Sequence, residues 1–473
     1  MRNQWRNNIF NGLILSVLIL GSSFAWAGTI NPNCAYKPID INKYGGQPFQ
    51  NPPGISAQNG RLDTTFNVQF TDPKTTSMAG CPVKLRTYNG QLVGPTLRVK
   101  QGDVINLALK NKLPKESPNE IQAQFDQENK NAYLDTIPAS FNTTNMHYHV
   151  LHVSPTGNSD NVLLDIPPQT ELLYEVKLPQ THPIGSYWYH AHAHGSTSIQ
   201  VGSGMAGALI IEDDPETTPT ALLAANANEK IFVLQTILYD QKGELNNITS
   251  LFPGPSKPTP KDCNAAGNKD TWPCSRRRIT INGQFVPVIT MKRGEVQRWR
   301  LIDTAFRESI AFSVEGHDLH EIALDGNYLG RVDTWKAGTP IDLQPGYRSD
   351  VLIKASMKPG EYQIIDQSAP SHKSLRQIDE PENLLATLIV IDEIDDMALP
   401  TSAEMAPLAP FGNTDLRKKA VGVQEVVFKL GSDMQGKKNY FQVNYRAFSL
   451  DHVRQLDLNA VDMWSLTTAG DTA

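Results

Sequence analysis

Four histidines in two short clusters are where this sequence offers chemistry. His147-Tyr148-His149 and His190-Ala191-His192 each set two imidazoles two residues apart. On an extended strand, residues i and i+2 leave the same face, so each pair presents both rings to one side. Two such strands lying side by side bring four imidazoles together. Neutral imidazole is a ligand for copper, zinc, iron or nickel, and the alternation alone does not choose among them. Catalytic zinc usually takes three protein ligands, with a general base such as the Glu of His-Glu-x-x-His, and that motif does not occur here.

The second pair has the clearer strand context. His182-Pro183-Ile184-Gly185 supplies a turn, and alternation from Ser186 to His192 places Ser186, Trp188, His190 and His192 on one face. The remaining histidines read as structural. His152 has the wrong parity to join His147 and His149, and His194 precedes Gly195, where the strand is expected to end. His317 and His320 are three apart and so take opposite strand faces, while His182, His372 and His452 are isolated.

The elements that must position these pairs form a degenerate repeat. Tyr88-Asn89-Gly90-Gln91, Pro95, Gly102-Asp103 and the alternating run Val104 to Leu109 return as Ile281-Asn282-Gly283-Gln284, Pro287, Gly294-Glu295 and Val296 to Leu301. A weaker copy runs from Val443-Asn444-Tyr445-Arg446 to the Trp464 strand, where Trp464 echoes Trp299. Each copy reads as strand, turn, strand with period-2 patterning, one edge of a β-sandwich, and three copies imply three related domains. Turn-rich linkers after apolar strands, at Asp213 to Pro219 and Asp392 to Pro400, give domains over residues 28–215, 216–395 and 396–473. The third is much shorter than the others and stops soon after the Trp464 strand, so it reads as the N-terminal part of a sandwich. A half sandwich exposes an unpaired edge and an apolar face, which natural proteins avoid.

Composition agrees with an all-β chain. The 473 residues are 40% hydrophobic and 19% charged, and 33 Gly with 32 Pro favour turns over long helices. Arg2 and Arg6, the apolar run Ile9 to Leu20 and the Ala25-Trp26-Ala27 site mark residues 1–27 as a cleaved signal peptide. The expected protein is therefore exported, periplasmic or secreted, with no membrane attachment after cleavage. The net charge of -6 grows more negative once Arg2 and Arg6 are removed, which argues against nucleic acid or anionic membrane as partner. The four cysteines favour two disulfides in an oxidising compartment, with Cys34–Cys81 and Cys263–Cys274 the expected pairing, although sequence alone does not fix the connectivity.

His147 to Pro155, Gly185 to His192 and Gly204-Met205-Ala206-Gly207-Ala208-Leu209-Ile210-Ile211 together resemble the first cupredoxin domain of the multicopper oxidases, the laccase-like family. The repeated Asn-Gly-Gln segments extend the resemblance into the second and third domains. It implies tandem cupredoxin-like Greek-key sandwiches, two complete and a third partial. It also implies copper: a mononuclear type 1 copper takes single electrons from a small reductant and passes them to a trinuclear cluster that reduces dioxygen to water. By position, His147 would serve the type 2 copper and His149, His190 and His192 the type 3 pair. Asp160 sits where the family often has an acidic residue near the cluster; it is a candidate proton relay, or an Asx-turn residue.

The pattern departs from the family where the second half of the cluster and the type 1 site should be. No His-Pro-x-His-x-His and no His-Cys-His segment occurs, and no cysteine has histidine neighbours as a type 1 centre requires. The resemblance therefore implies a chain inactive alone. Its alternatives are a non-enzymatic copper-binding or scaffold protein, and one half of a split oxidase whose second chain completes the third domain. Nothing in the sequence chooses among phenols, aromatic amines, cuprous or manganous ions as reductant.

Overall fold

A computed structural model describes residues 34, 40–118, 140–240, 242–246, 278–306, 309–370, 382–409, 415–432, 439–447, 454–457 and 460–469. The signal segment at 1–27 and the Cys263–Cys274 pairing lie outside the described residues. Cys34 and Cys81 form a disulfide with their Cα atoms 4.7 Å apart, as the sequence led us to expect.

The first sandwich is built from β1 (Gly54–Ser56), β2 (Arg61–Phe70), β3 (Arg86–Tyr88), β4 (Thr96–Val99), β5 (Val104–Asn111), β6 (His147–His149), β7 (Glu171–Lys177), β8 (Gly185–His190) and β9 (Ala206–Ile211). One sheet runs β1-β4-β9-β8-β6 and the other β3-β2-β5-β7. Alternation places Leu62, Phe66 and Val68 of β2 beside Ile105, Leu107 and Leu109 of β5 in the core between the sheets. Each such side chain contributes about 1.5–3 kcal/mol by leaving water.

The second sandwich contains β10 (Lys230–Ile237), β11 (Arg278–Ile281), β12 (Val288–Arg293), β13 (Val296–Asp303), β14 (Ile310–Val314), β15 (Leu319–Leu324), β16 (Asn327–Trp335), β17 (Ile341–Leu343), β18 (Arg348–Lys354), β19 (Gly360–Asp366) and β20 (Asn383–Ile394). Its sheets run β11-β10-β13-β18-β15-β16 and β12-β20-β19-β14-β17. Strand β13 is buried on both faces for two reasons. Trp299 and Leu301 enter the sandwich core. Arg298 and Arg300, of opposite parity, turn to the first sandwich and meet Asp213, Glu229 and Asp350.

A third sheet, β23-β22-β21-β24, follows, from β21 (Ala420–Ser432), β22 (Asn439–Val443), β23 (Arg446–Ala447) and β24 (Val461–Ala469). The three units share one device. Asn89, Asn282 and Asn444 all adopt left-handed backbone, with φ of 56, 56 and 52°. Each side-chain oxygen accepts the backbone N–H of Asn67, Val233 or Val427 at 2.8 Å. Each also donates its own N–H to the carbonyl of that same residue. Asn tolerates this conformation and its amide mimics a peptide, so one residue type both turns the chain and locks strand register. In each unit the clamped strand then pairs in parallel with a later one: β2 with β5, β10 with β13, β21 with β24. Lys230 faces Trp299 in the second unit as Gln424 faces Trp464 in the third. Trp299 is 0% exposed and Trp464 is 47% exposed.

Candidate metal centre

Strands β6 and β8 pair antiparallel, with His149 opposite Trp188, Tyr148 opposite Tyr189, and His147 opposite His190. Directly opposed residues share a face, so His147, His149, Trp188 and His190 project together while Tyr148 and Tyr189 fill the core. On its other edge β8 pairs with β9, setting Trp188 opposite Ala208 and His190 opposite Ala206, which leaves room for both rings.

One ring nitrogen from each of His147, His149 and His190 lies within 4.8 Å of the others. Their hydrogen bonds decide which nitrogens are free. His147 Nδ1 is 2.8 Å from Asp160 Oδ1, which leaves Nε2 for the centre. His190 Nδ1 donates to the carbonyl of Ala191 at 2.9 Å, so its Nε2 carries a lone pair, and His149 Nδ1 stands 3.4 Å from it. Either a proton or a cation must reconcile two imidazole nitrogens facing at that distance. Burial pushes His149 down to about 3, helped by the Arg348 guanidinium, and takes His190 well below the usual imidazole range. Burial lowers His192 as well. These rings are neutral at pH 7, the form that coordinates metal. The donor set therefore fits a cation of the copper or zinc class.

Trp188 stacks on His190, with ring centroids 4.2 Å apart, and tilts over His149 at 4.7 Å. His192 corrects the sequence reading. Strand β8 stops at His190 rather than continuing to His192. The backbone N–H of His192 donates to Asn145 Oδ1 at 2.7 Å, and the Asn145 amide donates to the carbonyls of Val162 and Leu164. The His192 ring still joins the group, its centroid 5.1 Å from that of His147 and 5.5 Å from that of His190. Asp160 accepts the N–H of Tyr148 at 2.9 Å in addition to its contact with His147, and so braces one ligand strand.

Of the histidines set aside earlier, His182, His317 and His320 have other partners, and His372 and His452 lie outside the described residues. His182 Nε2 accepts the backbone N–H of His152, and His317 Nε2 accepts that of Ser356. His320 Nδ1 contacts Thr334 Oγ1.

The second sandwich reaches this centre. Ser186 on β8 donates to Asp350 at 2.6 Å and accepts from Arg300 at 3.1 Å. Arg348 Nε donates to the Ser186 carbonyl at 3.3 Å. Asn145, Gly346 and Arg348 were not found by reading the sequence; the Gln-Pro-Gly-Tyr turn marks Gly346 as a turn residue but not as a neighbour of His149.

Tandem β-sandwiches with paired histidines at a sheet edge are the arrangement of a cupredoxin-like fold. Family models described as multicopper oxidase match residues 70–124, 120–216 and 250–390, and the chain belongs to that family. Relatives include laccase-1 of Thanatephorus cucumeris, 25% identical over 283 residues, covering 58% of this chain and 42% of that protein. The multicopper oxidase mco of Staphylococcus aureus is 26% identical over 283 residues, 59% of this chain and 51% of its own. The chain thus spans about half the length of the curated relatives it matches. Among solved structures, a multicopper oxidase from Campylobacter jejuni, described as a metallo-oxidase, aligns with TM-score 0.66 at 20% identity, covering 91% of this chain and 81% of that one. One from Pediococcus acidilactici aligns with TM-score 0.63 at 18% identity, covering 92% and 76%. These similarities establish the fold. The family is one of copper-dependent oxidoreductases.

Proposed function

We propose that this chain is the copper-holding portion of an oxidase that couples one-electron oxidation of a small reductant to reduction of dioxygen to water. The observation that carries the reading is the convergence of His147, His149 and His190 within 4.8 Å, in a partly buried niche where hydrogen bonds fix the tautomers of His147 and His190. In this reading His147 serves a type 2 copper, and His149, His190 and His192 serve a type 3 pair. Copper bound there would supply electron transfer to dioxygen.

The chain's own residues orient and protect that site. Asp160 holds the proton on His147 Nδ1 and is the candidate group for relaying protons to the centre. Trp188 fixes the planes of His149 and His190 and excludes water from their flank. Asn145 anchors His192 beyond the strand end.

The type 1 site and the other cluster ligands would come from polypeptide outside this sequence. The third sheet supports that: Val426, Phe428, Val443, Trp464 and Leu466 share one face, and all but Val426 are about half exposed or more. Export to the periplasm or exterior belongs to the same proposal; among the described residues no helix is long and apolar enough to cross a membrane.

The test is copper retention. The purified chain, loaded with Cu(II) and desalted, should hold copper that is lost in H147A/H149A/H190A, with no blue absorption and no oxygen uptake with a phenolic reductant. Copper retained equally by the triple variant would sink the assignment. Blue colour and oxygen uptake by this chain alone would sink the claim that the electron-entry site lies elsewhere.

A further inference from the structure

We propose that the second sandwich closes the histidine centre of the first, and that Gly346 sets the clearance on its His149 side. The inference rests on the metal-site reading above. Gly346 lies in the turn Gln344-Pro345-Gly346-Tyr347 just before β18, at a left-handed φ of 89°. A β-carbon there would stand 3.3 Å from both Cε1 and Nε2 of His149 and 3.8 Å from Cζ2 of Trp188. That is closer than side chains ordinarily pack, so one partner would have to move.

Movement of either disturbs contacts that hold the site. The turn is held by Gly346 N–H to the Asp303 carbonyl at 2.8 Å, Tyr347 N–H to the Gln344 carbonyl at 2.8 Å, and Asp303 N–H to the Tyr347 carbonyl at 3.0 Å. Arg348 adds a side-chain donor to the Gly346 carbonyl at 3.0 Å, and through Nε reaches Ser186 on β8, the strand that carries Trp188 and His190. The His149 ring is trapped between Gly346 and Trp188, with Nδ1 only 3.4 Å from His190 Nε2. Any shift of the ring away from Gly346 therefore changes the spacing of the donor nitrogens. A residue far from the histidines in sequence thus acts as a positioning residue for them.

The test compares G346A and G346V with G338A in the full chain. Gly338 is exposed, has φ 85° and would place a β-carbon in open space, so G338A carries the same backbone strain without touching a histidine. Each protein is loaded with Cu(II), and copper content under a competing chelator, the Cu(II) electron paramagnetic resonance spectrum and the thermal midpoint are recorded. G346A should lose more thermal stability than G338A, the excess reporting the β-carbon pressed against His149. G346A should bind copper about tenfold more weakly than G338A, G346V more weakly still, both with an altered copper spectrum. Copper affinity and spectrum of G346A matching those of G338A overturn the inference alone. A wild-type chain that retains no copper overturns the metal-site reading and this inference with it.

Discussion

Asp160 Oδ1 lies 2.8 Å from His147 Nδ1 and 2.9 Å from the N–H of Tyr148, so one carboxylate oxygen braces both a ring and the strand that carries it. Outer carboxylates of this kind fix ligand tautomer and raise ligand basicity, and their loss typically weakens metal binding about 10–100-fold. D160A should therefore weaken copper retention by that order. D160N keeps an acceptor oxygen but not the charge, and should fall between D160A and wild type. Chelator competition on the three proteins measures it, and D160A equal to wild type would show that the carboxylate does not support the centre.

The buried charges between the sandwiches make stability depend on acidity. Burial works to raise the Asp213 carboxyl, but the guanidinium groups of Arg298 and Arg300 outweigh it and bring it down to about 2. Glu229 also reaches about 2, where burial is outweighed by Arg300 and Arg98. A carboxylate depressed in the folded state stabilises fully above its unfolded value of about 4, and that contribution disappears as pH falls toward the folded value. Denaturant midpoints should thus hold through neutral pH and drop between about pH 4 and 2. Replacing Asp213 by Asn should flatten that drop. The same replacement leaves Arg298 short of one charge partner in a site where its side chain is 0% exposed, at a cost of about 3–5 kcal/mol.

Much of this arrangement is legible in the sequence because local rules govern it. The His-x-His pairs report their geometry through the two-residue period of a strand. Asn89, Asn282 and Asn444 report theirs because Asn is suited to left-handed turns. The extent of β8 was misread, since alternation continues to His192 while the backbone there leaves the strand for the side chain of Asn145. Gly346 and Arg348 were invisible for a different reason. Their contacts with His149 and Ser186 arise only when the two sandwiches dock, and no local pattern encodes docking. Arg298 and Arg300 alternate with Trp299 as in any half-polar strand, yet their face is buried against the first sandwich.

Val150, next to His149, takes φ 63°, a conformation that β-branched residues rarely adopt. Strain of this kind costs about 1–3 kcal/mol and persists where the surroundings enforce it. Here the Leu151 N–H donates to the Tyr148 carbonyl at 3.3 Å, turning the chain sharply away after the ligand strand. V150N introduces a residue suited to that conformation and should gain about 1 kcal/mol in denaturant titration, with copper retention unchanged. A loss of stability in V150N would mean that packing of the valine side chain outweighs the backbone term.

The third unit gives a test through its repeat. Trp299 is buried among Phe232, Phe312 and neighbours, so W299A should cost about 3–5 kcal/mol. Trp464 occupies the matching register position, opposite Gln424, but is 47% exposed. In this chain W464A removes a half-exposed ring and its contact with the Arg454 guanidinium, 5.4 Å from the ring centroid, and should cost only about 1 kcal/mol. Were the Trp464 face covered by a second sheet from further polypeptide, W464A in that assembly would approach the cost of W299A, because the same ring would then leave a filled core. Equal, small effects of W464A with and without the added polypeptide would show that the face is not a core face, despite its sharing the Asn-clamped, parallel-paired arrangement that buries Trp299.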